Sequence, residues 1–247
     1  MFATVRGLVL REVRYKEADR ILTVLTEERG KLTIKARGAL RKGSRLGAAS
    51  QALCYSEFTL FGNKGRFTAD EGSTLEQFLG LRDDIASLSL GAYFAELLDT
   101  VCAEEMPDVP ALRLGLNALY ALSRGRYAPE HIKSVFELRL MCLEGFRPEV
   151  EACGVCGRPD VQEPMLALDG GMVHCRECGA DSPGASLPLC GESLAALRHI
   201  ADAPAKKEFS FGVSPEAEDR LFRAAEAYVR RQLDRGFSSL DYWKSVK

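Results

Sequence analysis

The chain has 247 residues, 46% hydrophobic and 28% charged, with a formal net charge of −2, enough apolar material for one large domain or two to three small ones. No stretch reaches the roughly eighteen uninterrupted apolar residues of a membrane span, and Arg6 and Arg11 cut the N-terminal apolar run, so neither a span nor a signal peptide is expected and the protein reads as cytoplasmic. The neutral total hides an asymmetry: residues 1–80 hold 14 Lys+Arg against 9 Asp+Glu, a net of +5, and the rest 19 against 26, a net of −7, which suggests a polyanion-facing N-terminal module on an acidic body.

From Phe2 to about Glu76 the chain alternates β-rich segments with charged turns. Val5–Val13, Ile21–Thr26, Lys31–Arg37, Ala52–Phe61 and Arg66–Asp70 read as five short strands. Glu28-Arg29-Gly30 and Gly62-Asn63-Lys64-Gly65 supply hairpin turns. Five strands in this length fit a small Greek-key barrel such as an OB-fold, placed over residues 1–80.

After Gly80 the period lengthens to that of a helix. Asp83 and Asp84 open a first helix, with Ile85, Leu88, Ala92, Ala95 and Leu98 at helical spacing. Pro110 opens a second, with Leu112, Leu116, Leu119 and Leu122 inward and Gly125 at its end. Pro129 opens a third, bearing Ile132, Val135, Phe136, Leu140 and Leu143 before Gly145 and Pro148 stop it. Ser214-Pro215 starts a long helix with Leu221, Ala225, Tyr228 and Leu233 on one side, closing at Gly236. Residues 151–186 are rich in Gly, Pro and Cys without a convincing period, so no core of ordinary side chains is expected there. The fold class is therefore α+β multidomain: an OB-fold barrel (1–80), a helical body in two pieces (81–150 and 187–247), and an inserted metal-binding module (151–186).

Cys153-Gly154-Val155-Cys156 and Cys175-Arg176-Glu177-Cys178 explain the insertion. Two C-x-x-C knuckles at this separation match zinc-ribbon spacing, and Gly157 and Gly179 after each second cysteine let the chain fold back with positive φ. Four thiolates close the coordination shell, so one structural Zn²⁺ is expected and not a hydrolytic one. A thioredoxin-like redox pair fits less well, because neither knuckle follows a strand and opens a helix. His174 is expected as an exposed hairpin residue, not a ligand. Cys54, Cys102, Cys142 and Cys190 fall singly among apolar residues and read as small buried hydrophobes.

Arg29, Lys31, Lys35, Arg37, Arg41, Lys42 and Arg45 accumulate with no acidic residue before Ser56. Alternation puts Lys31, Thr33, Lys35 and Arg37 on one face of a strand, and Gly38, Gly43 and Gly47 make the segment that follows mobile enough to track a phosphate backbone. Lys31, Lys35, Arg37, Arg41, Lys42 and Arg45 are the candidate DNA-binding residues. Few aromatics interleave with them, Tyr55 and Phe58 coming later, so contact is expected to be phosphate-led and weakly sequence-selective. If about four phosphates are neutralised, log K falls against log[salt] with a slope near −3.6. That reading requires the cations to be free of the protein's own carboxylates. No Gly-x-x-x-x-Gly-Lys-Ser/Thr loop is present, and His131, His174 and His199 lie in no metalloprotease or deaminase pattern. No residue offers itself as a nucleophile, and an enzyme is not expected.

The order of these features resembles the bacterial RecO family. The matching pieces are Gly7-Leu8-Val9-Leu10, Leu25-Thr26-Glu27-Glu28-Arg29-Gly30-Lys31, Lys35-Ala36-Arg37-Gly38-Ala39, the helix around Ala92-Tyr93-Phe94-Ala95-Glu96-Leu97-Leu98-Asp99, and Phe136-Glu137-Leu138-Arg139-Leu140 leading through Gly145 and Pro148 to the first knuckle. The resemblance implies a nucleoid-associated, non-enzymatic recombination mediator that binds single- and double-stranded DNA and anneals complementary strands without ATP. It further implies loading of the RecA recombinase onto strands coated by single-strand-binding protein, with RecR and that protein's C-terminal tail as partners. It carries the family's DNA-binding role onto Lys35, Arg37, Arg41, Lys42 and Arg45, and its zinc motif onto the four cysteines. The alternative is a zinc-stabilised interaction scaffold that does not itself touch DNA.

Overall fold

A computed structural model of the chain describes residues 2–63, 65–182 and 184–247. Five strands, β1 (Phe2–Tyr15), β2 (Asp19–Thr26), β3 (Gly30–Ala36), β4 (Tyr55–Asn63) and β5 (Arg66–Glu76), close into a barrel in the order β1-β2-β3-β5-β4. β1 shuts the barrel by pairing antiparallel with β4, and β3 lies parallel to β5. This is the OB-fold expected from the alternation, whose inward members Val5, Val9, Leu22, Val24, Leu32, Ile34, Phe58 and Leu60 fill the interior.

β1 runs beyond the expected Val5–Val13 at both ends, because it serves two neighbours in turn. A register shift between Val9 and Arg11 bends it along β2. β4 begins at Tyr55 and not Ala52, since the Cys54 amide closes a turn onto the Gln51 carbonyl. Gly30 in the first predicted turn has φ +67°, and a Cβ there would stand 2.0 Å from the Met106 carbonyl oxygen, so only glycine fits. The second predicted turn contains Lys64, which lies outside the described residues; the pair Asn63↔Arg66 closes the hairpin beside it. Between β3 and β4, α1 (Leu46–Ala49) adds Leu46 and Ala49 to the barrel core.

The helices are α2 (Ile85–Val101), α3 (Val109–Arg124), α4 (Pro129–Leu143), α5 (Gly191–Asp202), α6 (Pro215–Gln232) and α7 (Ser238–Val246). Asp84 caps α2 by accepting the Ser87 amide at 2.8 Å. The stripe expected on α2 is partly wrong. Ile85 is 53% exposed and Ala92 is exposed, whereas Leu90, Tyr93, Phe94 and Leu97 are buried alongside the predicted Ala95 and Leu98. Two apolar faces compete on this helix, and the one carrying the larger rings and leucines removes more area from water. α6 stops at Gln232, short of the expected Gly236, with Leu233 as its C-cap.

Two compact units result, Met1–Arg124 with Phe237–Lys247, and Gly125–Gly236. In the first, α7 packs on α2: the Phe237 and Tyr93 rings meet edge to face at 5.6 Å, Trp243 is fully buried, and the Ser239 amide donates to Glu96. In the second, α4 and α6 enclose Lys133, which pairs with Glu137 at 2.8 Å and Glu226 at 3.4 Å. The same unit holds a three-stranded sheet, β6 (Pro164–Ala167), β7 (Met172–Cys175) and β8 (Ser186–Pro188), in the order β7-β6-β8. Val161, Leu166, Ala167 and Val173 are buried there, a small apolar core where none was expected. Among the described residues, no helix is long and apolar enough to cross a membrane.

Candidate nucleic-acid interface and metal centre

β3 alternates as expected, with Leu32, Ile34 and Ala36 buried and Lys31, Thr33, Lys35 and Arg37 on the other face. The basic candidates do not share one environment. Lys31 sits at the start of the strand with only 11% of its side chain exposed, its ammonium 3.2 Å from the Asp99 carboxylate and also donating to the Asp99 carbonyl. It ties β3 to α2. Lys35 pairs with Asp19 at 2.9 Å, and the more exposed Arg37 and Arg45 pair with Asp70 at 3.8 Å and Glu71 at 3.2 Å. Arg41 and Lys42 are exposed, and among the described residues they form no ion pair. The demand that the basic side chains stand free of internal carboxylates is therefore met by two of the six candidates.

Asp19 organises this end of the barrel. Besides holding Lys35, it accepts the Gly38 amide at 2.8 Å, and the Leu40 amide donates to the Ala18 carbonyl at 2.9 Å. These bonds pin the segment after β3 against the β1–β2 turn. The Gly38 amide first, then the Lys35 ammonium, hold the Asp19 carboxyl below the usual carboxylate range. The Arg41–Arg45 segment is more ordered than its glycines suggested. The Arg41 amide donates to Gly38, Ser44 to Arg41 and Gly47 to Ser44 in successive turns that run into α1.

The same pinning supplies an aromatic that sequence reasoning missed. Tyr15, 42% exposed, lies with the Lys35 and Lys16 ammonium groups 5.4 and 5.5 Å from its ring centroid. Arg29 stacks over Phe67 at 5.8 Å. Phe58 is buried in the barrel, and the Tyr55 hydroxyl is given to Glu27, so neither later aromatic joins the cations. The signal for Tyr15 was its place at the end of an alternating strand, next to a lysine.

At the second site the four cysteines converge as expected into a set that could hold a metal ion. The Sγ atoms of Cys153, Cys156, Cys175 and Cys178 all lie within 4.8 Å of one another, compatible with four thiolates around an ion at about 2.3 Å. The first knuckle turns on Gly157, with φ +73°, whose amide donates to the Cys153 carbonyl at 2.8 Å. The second turns without a left-handed residue: Gly179 belongs to the 3₁₀ turn Arg176–Asp181, a departure from the symmetry expected of the two glycines. Gly154 is also constrained, since a Cβ there would stand 2.3 Å from Met172 Sδ.

The amides of Cys156 and Cys175 point at Cys153 Sγ at 3.5 and 3.4 Å. Burial raises the Cys153 thiol, but these amides outweigh it and bring the group to about 6. Cys178 is pushed up to about 12, by burial first and then by the neighbouring Cys156 and Cys153 sulfurs. His174 is buried and not exposed as expected. One ring nitrogen lies 2.9 Å from the Cys175 carbonyl and the other 2.9 Å from Ser186 Oγ, which brace the knuckle from behind. Of the isolated cysteines, Cys54 and Cys102 are buried and Cys142 and Cys190 are partly exposed, Cys190 capping α5.

Comparison with known proteins assigns both parts of the chain to one family. Residues 1–78 match the family Recombination protein O N terminal, and residues 82–241 match Recombination protein O C terminal. The chain is 33% identical over 240 residues to the DNA repair protein RecO of Acetivibrio thermocellus, covering 97% of this chain and 95% of that one. It is 29% identical to the RecO of Symbiobacterium thermophilum, covering 98% and 97%, and 30% identical to that of Bacillus pumilus, covering 90% and 86%.

Proposed function

This chain belongs to the RecO family of DNA repair proteins, and on that premise we propose that it is a non-enzymatic mediator that binds single- and double-stranded DNA through the barrel and anneals complementary strands without ATP. The observation that carries this reading is the pair of exposed cations Arg41 and Lys42, without an ion pair among the described residues, on turns pinned against the β1–β2 turn that carries Lys16, next to Tyr15 and Lys35. Arg37 and Arg45 extend the surface, because phosphate can compete for an arginine whose ion pair is largely in water. Lys31 acts from within the fold, by fixing the start of β3.

Annealing in this scheme needs no chemical step. Two polyanions repel, and a cationic surface lowers the repulsion while they meet; base pairing then supplies the free energy and the paired product leaves. The four cysteines would hold one Zn²⁺, which supplies cross-linking of the insertion and no reactivity. Loading of RecA onto strands coated by single-strand-binding protein, with RecR and that protein's C-terminal tail as partners, completes the proposal through the family. The test is annealing of complementary oligonucleotides without nucleotide, with and without a peptide matching that tail. Acceleration at low salt supports the reading, and no acceleration there overturns it. The interaction-scaffold alternative draws on the four candidate cations already paired with carboxylates, and retention on a single-strand DNA column separates the two.

A further inference from the structure

The outer wall of the barrel carries a row of side chains that the basic segment does not account for. Register sets Lys35 of β3 against Thr68 of β5, Thr68 against Phe61 of β4, and Phe61 against Phe2 of β1. Residues paired directly across strands project from the same face. Their chain neighbours Ile34, Ala69 and Leu60 are buried in the barrel, so the row faces outward. It crosses three strand spacings, roughly 14 Å. At its far end the Phe2 and Phe61 rings touch, with centroids 5.3 Å apart and planes at 57°, and they are 76% and 42% exposed. Two phenyl rings left in contact with water on a sheet face mark a surface that something apolar covers.

Charge complementarity narrows what that is. No acidic residue stands in the row itself; the exposed Asp70, two residues after Thr68 on β5, borders it and pairs with Arg37 at 3.8 Å. Lys35, its ammonium paired with Asp19 at 2.9 Å, closes one end beside Tyr15, and Arg66, exposed on β5 two residues before Thr68, forms no ion pair among the described residues. Paired aromatic rings on a face that also carries the unpaired Arg66, with the basic corner at its other end, suit a ligand with flat apolar faces on a polyanionic backbone, which is an unpaired nucleic-acid strand. A duplex keeps its bases stacked on one another and cannot offer those faces.

We propose that Phe2 and Phe61 form a base-stacking platform that receives unpaired nucleotides from the basic edge and makes the barrel selective for single strands. This rests on the DNA-binding reading above and adds to it the source of strand preference.

The experiment measures affinity of the full chain for a labelled oligo-dT and for a matched duplex. Phe2→Ala with Phe61→Ala loses roughly tenfold or more on oligo-dT, given stacking worth about 1–3 kcal/mol per base and tenfold per 1.4 kcal/mol, while duplex affinity holds within about twofold. Phe61→Trp keeps affinity, and the emission of the introduced indole is quenched by oligo-dT and not by duplex. Should the alanine pair fail to fold, this variant still decides. Equal losses on both DNAs, no loss on oligo-dT, or an unquenched indole overturns the platform. So does sedimentation showing a self-associated wild type that the alanine pair dissociates, which assigns the patch to contact between copies. Arg41→Glu with Lys42→Glu separates the two levels. If it weakens binding and the phenylalanine pair does not, DNA binding stands and the platform falls; a wild type that binds neither DNA overturns both.

Discussion

Asp19 holds the Lys35 ammonium at 2.9 Å while accepting the Gly38 amide through its other oxygen, so one carboxylate both shapes the basic corner and masks part of its charge. Asp19→Asn keeps an oxygen for the Gly38 amide and removes the charge that occupies Lys35. Single-strand affinity should rise by roughly three- to fivefold at low salt, read by anisotropy of a labelled oligonucleotide. Because the Asp19 carboxyl is depressed in the folded state, its contribution to stability is present above the unfolded carboxylate range and lost as pH falls through the folded value. The corner should therefore loosen only below about pH 4, and less in the asparagine variant. Acid titration followed by amide exchange at Gly38 and Leu40 checks this.

The salt dependence of single-strand binding should be shallower than a count of basic residues implies. Lys16, Arg41 and Lys42 form no ion pair among the described residues, and three neutralised phosphates at about 0.7 per contact give a slope near −2. Arg41→Glu with Lys42→Glu should weaken binding roughly tenfold and flatten the slope further. Affinities across a salt series decide, and an unchanged slope would remove this surface from the interface.

Lys31 gives the opposite outcome. Its ammonium is largely sequestered against Asp99, so Lys31→Met should cost about 1–2 kcal/mol of stability, lowering Tm by about 2–8 °C in a chain of this size. Single-strand affinity should stay within about twofold. Thermal unfolding together with the anisotropy assay separates this from a direct phosphate contact.

Metal uptake at the four cysteines should release protons. Cys153 is lowered to about 6, whereas Cys175 is raised and Cys178 stands at about 12, so near pH 7 at least two thiols must be deprotonated for the set to bind as thiolates. Affinity should fall as pH is lowered, and calorimetry in buffers of different ionisation enthalpy should show about two or more protons released per Zn²⁺. Cys153→Ser with Cys156→Ser should lower zinc content and solubility; a stable, folded, metal-free double variant would show the ion to be dispensable.

The barrel and the cysteine set were readable because each rests on local pattern. Alternation at Leu32, Ile34 and Ala36 fixes which side of β3 is buried, and two C-x-x-C knuckles fix a ligand set whatever lies between them. What sequence did not reveal depends on partners remote in the chain. Nothing near Lys31 announces Asp99, nothing near Lys35 announces that Asp19 will accept from its ammonium, and Phe2 meets Phe61 only once β1 closes against β4. His174 was misread for the same reason: its acceptor and donor, Cys175 and Ser186, flank it only after β6, β7 and β8 assemble. The α2 stripe failed because spacing alone does not rank two apolar faces by the area they bury.

The return of α7 to α2 sets an order of events during translation. Gly125–Gly236 is contiguous and can mature on the ribosome as soon as it emerges, but the unit begun by the barrel lacks Phe237 and Trp243 until later. Until then Tyr93 lacks the edge of the Phe237 ring and Glu96 lacks the Ser239 amide. Stop codons shortly before Phe237 should therefore injure the first-made half of the protein more than the half made just before the truncation.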